Sequence, residues 1–133
     1  MKKEIAKKWA ETLRSNKYKQ GESCLKETNV KTNKTYHCCL GVLCELYNEH
    51  MKISKKKKLK DVLDKDGQHS FNNHIEVLPE EVRVWSGLIS NNGTINSASK
   101  YYDSYYTSLS AMNDFGCSFK KIANVIDKDW KNI

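Results

Sequence analysis

Ile5, Ala6, Trp9, Ala10 and Leu13 recur at spacings of three and four, with lysine and glutamate between them. That period predicts an amphipathic helix over residues 2–15 that docks Trp9 on a core. The next segment, YKQGESCLKET, has strand-like features and a glycine. With the polar NVKTNK and then TYHCC it predicts two short strands joined by a loop. From Cys39 the residues Leu40, Val42, Leu43, Cys44, Leu46 and Tyr47 make an apolar run of helical length, a buried helix over about 39–49. Gly41 inside that run predicts the close approach of another backbone or side chain.

Beyond it, residues 52–74 are polar and read as an exposed excursion with one strand or short helix near Leu59–Leu63. LPEEVRVWSGL then predicts a short helix, with Pro79 in its first turn, two acids suited to a helix N-terminus and Gly87 as its stop. Asn92-Gly93 between β-compatible residues predicts a small hairpin. SKYYDSYYTSLSAMNDFG predicts a helix that pairs Tyr101 with Tyr105 and Tyr102 with Tyr106 and stops at Gly116. Ser118 is placed to cap a last helix with Phe119, Ile122, Ala123 and Ile126 on its apolar face. The expected fold is α+β: one domain over 1–133, with four or five helices packed on a small antiparallel sheet.

Composition narrows the picture. At 133 residues, 38% hydrophobic and 29% charged, the chain is long enough for one core. Residues 1–60 carry a net charge of +10 and residues 61–133 a net of −3. A basic half suggests an anionic partner, and lysine-rich composition bias is the plain alternative. No long apolar run and no secretory signal pattern are present, which predicts no membrane association and a cytoplasmic location. Trp85 and the tyrosine run are available for an interface, so a homodimer is an open expectation.

YHCCLGVLC concentrates cysteine and histidine, yet its spacing suits neither zinc nor redox chemistry. A helix places Cys39 and Cys44 about 140° apart around its axis, and no second cysteine pair follows. Cys-x-x-Cys is absent. A thiol of Cys38 or Cys39 at a helix start has nucleophilic potential beside His37, whereas the simpler reading is small buried apolar residues. An odd total of five cysteines fits reduced thiols. No phosphate loop, zinc-protease or hydrolase-elbow motif occurs. No cofactor and no metal are expected. The lysines at 55–58 lack interleaved aromatics. DFGCSFKKIANVI resembles the opening of a helix-turn-helix, but too few residues follow for a recognition helix, so nucleic acid is not the expected partner.

Several segments together resemble a family of small tailed-phage proteins: Trp9 with Leu13-Arg14-Ser15, Tyr18-Lys19-Gln20, Tyr36–Cys44, Leu78-Pro79 and Met112–Ala123. Asn16 stands where that family commonly has glycine, and asparagine tolerates the positive φ such a position needs. The resemblance implies a phage accessory protein and brings no catalytic residues with it. By analogy of class, such proteins are similar to inhibitors of bacterial immunity that sequester nucleotide signals. The expected function is therefore binding, without catalysis, of an anionic nucleotide-derived signal, either a cyclic dinucleotide or an ADP-ribose derivative. Such a ligand needs cations for phosphate, aromatic faces for the base and amides or carboxylates for ribose hydroxyls. Arg14, Tyr18, Lys19, Gln20, Tyr36, Tyr102, Asn113 and Asp114 offer that set. Direct inhibition of a host protein, DNA-binding regulation and nucleotide hydrolysis stay open as alternatives.

Overall fold

Trp9 is fully buried and its indole N–H donates to the Cys39 carbonyl at 3.0 Å, so the largest apolar side chain of the first helix enters the core with its one polar atom satisfied. The structure, a computed structural model, describes all residues 1–133. Helix α1 is Lys3–Arg14 and buries Ala6, Trp9, Ala10 and Leu13, the face its period predicts. Three short strands follow, β1 (Lys19–Gln20), β2 (Lys26–Thr28) and β3 (Thr35–His37). Strands β2 and β3 form the predicted antiparallel pair, and β1 adds a two-residue parallel edge on the other side of β3.

Helix α2 (Cys39–Ile53) runs through the middle of the molecule. It buries eight of the nine positions 39–47, all but Glu45, and a helix apolar on nearly all sides must be enclosed. Gly41 allows that enclosure. A Cβ there would lie 1.7 Å from the Leu25 carbonyl oxygen, so the strand region presses directly on the helix backbone. The Cys38 thiol caps the helix by accepting from the Gly41 N–H at 3.4 Å.

The polar excursion carries more structure than its composition suggests. Strands β4 (Asp61–Leu63) and β5 (His69–Phe71) form an antiparallel hairpin. Leu59, His69 and Phe71 are buried, and the Thr28 N–H donates to the Gly67 carbonyl at 2.7 Å, so the hairpin is sewn to β2. Beneath it runs a partly buried polar chain. Lys26 Nζ donates to Glu45 Oε1 at 3.0 Å and to Asp61 Oδ2 at 2.5 Å. His37 Nε2 meets Glu45 Oε1 at 3.0 Å, and His69 Nδ1 meets Asp61 Oδ1 at 2.7 Å. An ionised carboxylate only accepts, so both histidines donate through these nitrogens. His69 Nε2 lies 2.8 Å from the Thr28 hydroxyl, while His37 Nδ1 is buried without a partner.

Helix α3 (Glu80–Ser86) begins after Pro79 and ends at Gly87, whose φ of 72° is the left-handed stop the sequence predicts. Trp85 is half-buried, its ring packed edge-on against Tyr47 at 5.5 Å. The next two expectations need correction. Asn92-Gly93 does make a turn, but its flanks do not pair with each other. The Asn92 amide oxygen accepts from the Ser90 and Thr94 hydroxyls, and the backbone bonds go to residues 107–110 instead. The predicted tyrosine helix is short. Helix α4 spans only Leu109–Asp114, capped by Ser108, and residues 97–107 are a series of turns. Side chains close those turns: Asn96 accepts from Ala98 N–H, Ser99 from Tyr101 N–H, and Asp103 from Tyr105 N–H. Such local bonds compete with helix hydrogen bonds, and here they outweigh the aromatic pairing.

Ser118 caps helix α5 (Phe119–Asp129), which buries Phe119, Ile122, Ala123, Val125 and Ile126 and packs along α1. A single 3₁₀ turn, Trp130–Asn132, and the buried Ile133 fold back against the body. The architecture is α+β, five helices around one core with small, mainly antiparallel sheets at one side. No helix is long and apolar enough to cross a membrane.

Candidate functional site

The C-terminal end of α1, the edge strand β1 and the N-terminus of α5 meet around a cavity of about 750 Å³. Five predicted residues come together on its wall: Arg14, Tyr18, Lys19, Gln20 and Tyr36. The chain turns into the cavity through Asn16, whose φ of 59° is the positive value that asparagine was expected to tolerate. Leu13 and Phe119, both buried, give the floor its apolar character, and Ser118 and Lys120 complete the α5 side.

Each lining group has a definable state. Arg14 donates to Asn124 Oδ1 at 2.8 Å and sits 3.4 Å from Asp127 Oδ2, so its charge is partly shared with α5. Lys19 and Lys120 are exposed and make no ion pair. Tyr18 packs edge-on against His37 with centroids 4.8 Å apart, and burial pushes its phenol up, which keeps it a neutral hydrogen-bond donor. At the start of α5 the Phe119 N–H is taken by Gln20 Oε1 at 2.9 Å and the Lys121 N–H by the Ser118 hydroxyl at 3.3 Å. The Lys120 N–H between them has no acceptor in the protein. That helix start is a local source of positive potential.

Other predicted residues serve the fold around the site. Gln20 lines the cavity, but its amide is spent inward, donating to Cys117 O at 2.8 Å and Asn113 Oδ1 at 3.2 Å. Asn113 is fully buried and does not reach the cavity. Its oxygen also accepts from Cys39 N–H at 3.1 Å and its nitrogen donates to Gly21 O at 2.8 Å. Asp114 accepts from Ser23 N–H at 2.9 Å and holds the loop after β1, where Ser23 has a φ of 64°. Tyr102 lies in a separate cleft on the other flank of α5. Asn16, Ser118, Phe119 and Lys120 were not among the expected site residues, although Asn16 and Ser118 had visible roles as a positive-φ position and a cap.

The cysteines stand apart from this site. Burial pushes the Cys38 thiol up to about 12 and the Cys39 and Cys44 thiols well above their usual value. They are protonated core residues, and all five cysteines are free and buried. No three His, Cys, Asp or Glu side chains come together in a metal-holding arrangement.

The fold and its groove thus define a small α+β protein with a cationic, aromatic-walled pocket. The chain belongs to the family described as a domain of unknown function, DUF8296, whose model matches residues 1–130. No curated protein and no solved structure matches it.

Proposed function

We propose that the groove binds an anionic, nucleotide-derived ligand and holds it without turning it over. In the phage setting that the sequence motifs suggest, sequestering such a signal would blunt a host defence that depends on it. One observation carries the reading: the wall combines the cations Arg14, Lys19 and Lys120 with the rings of Tyr18, Tyr36 and Phe119, and contains no carboxylate. Phosphate is served by Lys19, Lys120 and the Lys120 N–H. A base is served by the tyrosine faces. Hydrolysis has less support, because the wall offers no carboxylate, imidazole or thiol as a general base and the Ser118 hydroxyl is engaged as a cap.

Calorimetric titration with adenosine monophosphate, cyclic dinucleotides and ADP-ribose tests this, followed by heating the complex and identifying what is released. Binding with release of the intact molecule, lost in a Lys19→Glu/Lys120→Glu variant, is the expected result. Release of a cleaved product points to an enzyme, and no binding by any of the three removes the small-molecule reading.

A further inference from the structure

On the other flank of α5, residues 100–106 and the helix enclose a second cleft of about 370 Å³. Like the groove, it combines lysines with tyrosine rings, but its wall also carries a carboxylate. Lys121 Nζ lies 5.1 Å from the centre of the Tyr106 ring, and Lys100 Nζ 5.2 Å from that of Tyr101. Lys128 adds a third cation. Asp103, the one carboxylate in the wall, accepts from the Tyr105 N–H at 2.9 Å and stands against three lysines. Around the cleft the protein leaves aromatic surface in water: Tyr102 is 45% exposed, Tyr105 74% and Phe115 68%. Exposed rings among lysines are the elements from which single-stranded nucleic acid platforms are made.

Two observations join this cleft to the groove. Arg14, in the groove wall, donates to Asn124, in the cleft wall, at 2.8 Å. Lys120, on the groove flank of α5, and Lys128, on the cleft flank, are about 12 Å apart by the helical rise and about 80° apart around the axis, and the Asp127 carboxylate exposed on that helix is paired with Arg14. The cationic character is also local. The concave surface between β2 and the β4–β5 turn carries Glu27, Asp64 and Asp66 against Lys31 alone.

We propose that the ligand is an oligonucleotide, with one base in the groove, a second against the tyrosines of the cleft, and the connecting phosphates along the exposed side of α5. This rests on the nucleotide reading of the groove and narrows it, since a single-base ligand uses only half of the paired sites. A linear strand and a closed cyclic dinucleotide share this chemistry.

The test compares four probes by calorimetry on the full chain: adenosine monophosphate, ADP-ribose, cyclic diadenylate and 5′-phosphorylated linear tetra-adenylate. Each is titrated into the wild type, a cleft variant (Tyr102→Ala/Lys121→Glu) and the groove variant (Lys19→Glu/Lys120→Glu). All four substituted side chains are exposed, and circular dichroism checks that the fold is kept. At least one of the two multi-base probes is expected to bind about tenfold or more tighter than adenosine monophosphate, the lower range for one added stacked base. The cleft variant is expected to erase that gain and leave adenosine monophosphate unchanged. A gain for the cyclic probe alone identifies a closed ligand, and a gain for the linear probe identifies a strand. Equal affinity for all four probes, or a gain that survives in the cleft variant, overturns the proposal while leaving the groove reading intact. Failure of every probe overturns both.

Discussion

The amide of Asn113 holds together segments that are far apart in the chain. It receives N–H groups from Cys39 and Gln20 and donates to Gly21, across separations of 74, 93 and 92 residues. Asn113→Ala therefore strands the start of α2 and the Gln20 amide at once. A loss of about 3 kcal/mol is expected in urea denaturation, the range for orphaning more than one buried polar group. Gly41→Ala tests a different single-atom constraint. The added methyl would meet the Leu25 carbonyl backbone, so the variant is expected to lose at least about 3 kcal/mol or to fail to fold, seen as a collapse of the thermal transition. These two residues differ in how far the sequence announces them. A glycine inside an apolar helical run is itself a sign of close approach, and Asn16 likewise signals its left-handed backbone. An asparagine near a helix end looks like a cap, and nothing local in NDFG reveals partners more than seventy positions away.

At the level of elements, α1, α3 and α5 follow from period and capping residues, because their stabilising contacts are local or lie on one face. The tyrosine run fails for a physical reason visible only afterwards: Asn96, Ser99 and Asp103 each close a turn onto a nearby N–H, and three such turns displace a helix whose aromatic pairs contribute little in water. The hairpin β4–β5 was half legible, since its buried Phe71 and His69 stand among polar neighbours that hide the alternation. Of the site, the α1–β1 half was readable from clustered residue types, whereas the α5 half depends on how that helix packs. The start of α5 also links fold to binding. Ser118→Ala removes the acceptor for the Lys121 N–H and is expected to cost about 1 kcal/mol. Because Phe119 and Lys120 form one wall of the groove, adenosine monophosphate affinity should fall several-fold in the same variant. Unchanged affinity alongside the lost stability would separate the wall from the ligand.

Across the whole molecule, the partly buried chain from His37 through Glu45, Lys26 and Asp61 to His69 ties α2, the sheet and the hairpin into one unit. Burial alone would push the Glu45 carboxyl up, but hydrogen bonds from His37 and Lys26 outweigh it and hold it down to about 2. In the unfolded chain a glutamate titrates near about 4.3. The unfolded state therefore takes up this proton first on acidification. Glu45 stabilises the fold fully above that value, and its contribution drains away as pH falls through about 4.5 towards 2. Urea midpoints followed over that range should drop steeply for the wild type. Glu45→Gln should begin lower at neutral pH and decline less on acidification; parallel curves for the two proteins would show that other carboxylates govern acid stability.

The five buried thiols make the chain its own reporter of breathing. A thiol-specific reagent added to the native protein finds every cysteine residue buried, so its rate at each one reports how readily the structure around it opens. Cys24, beside the loop held by Asp114, and Cys117, at the turn into α5, are 7% and 6% exposed, whereas Cys39 and Cys44 have no exposure at all. The first two sample fluctuations of the groove's surroundings and the last two sample disruption of the central helix. A bound nucleotide that braces β1 against α5 should then slow labelling at Cys117 before it alters Cys44, turning occupancy of the groove into a difference between two reaction clocks within one chain.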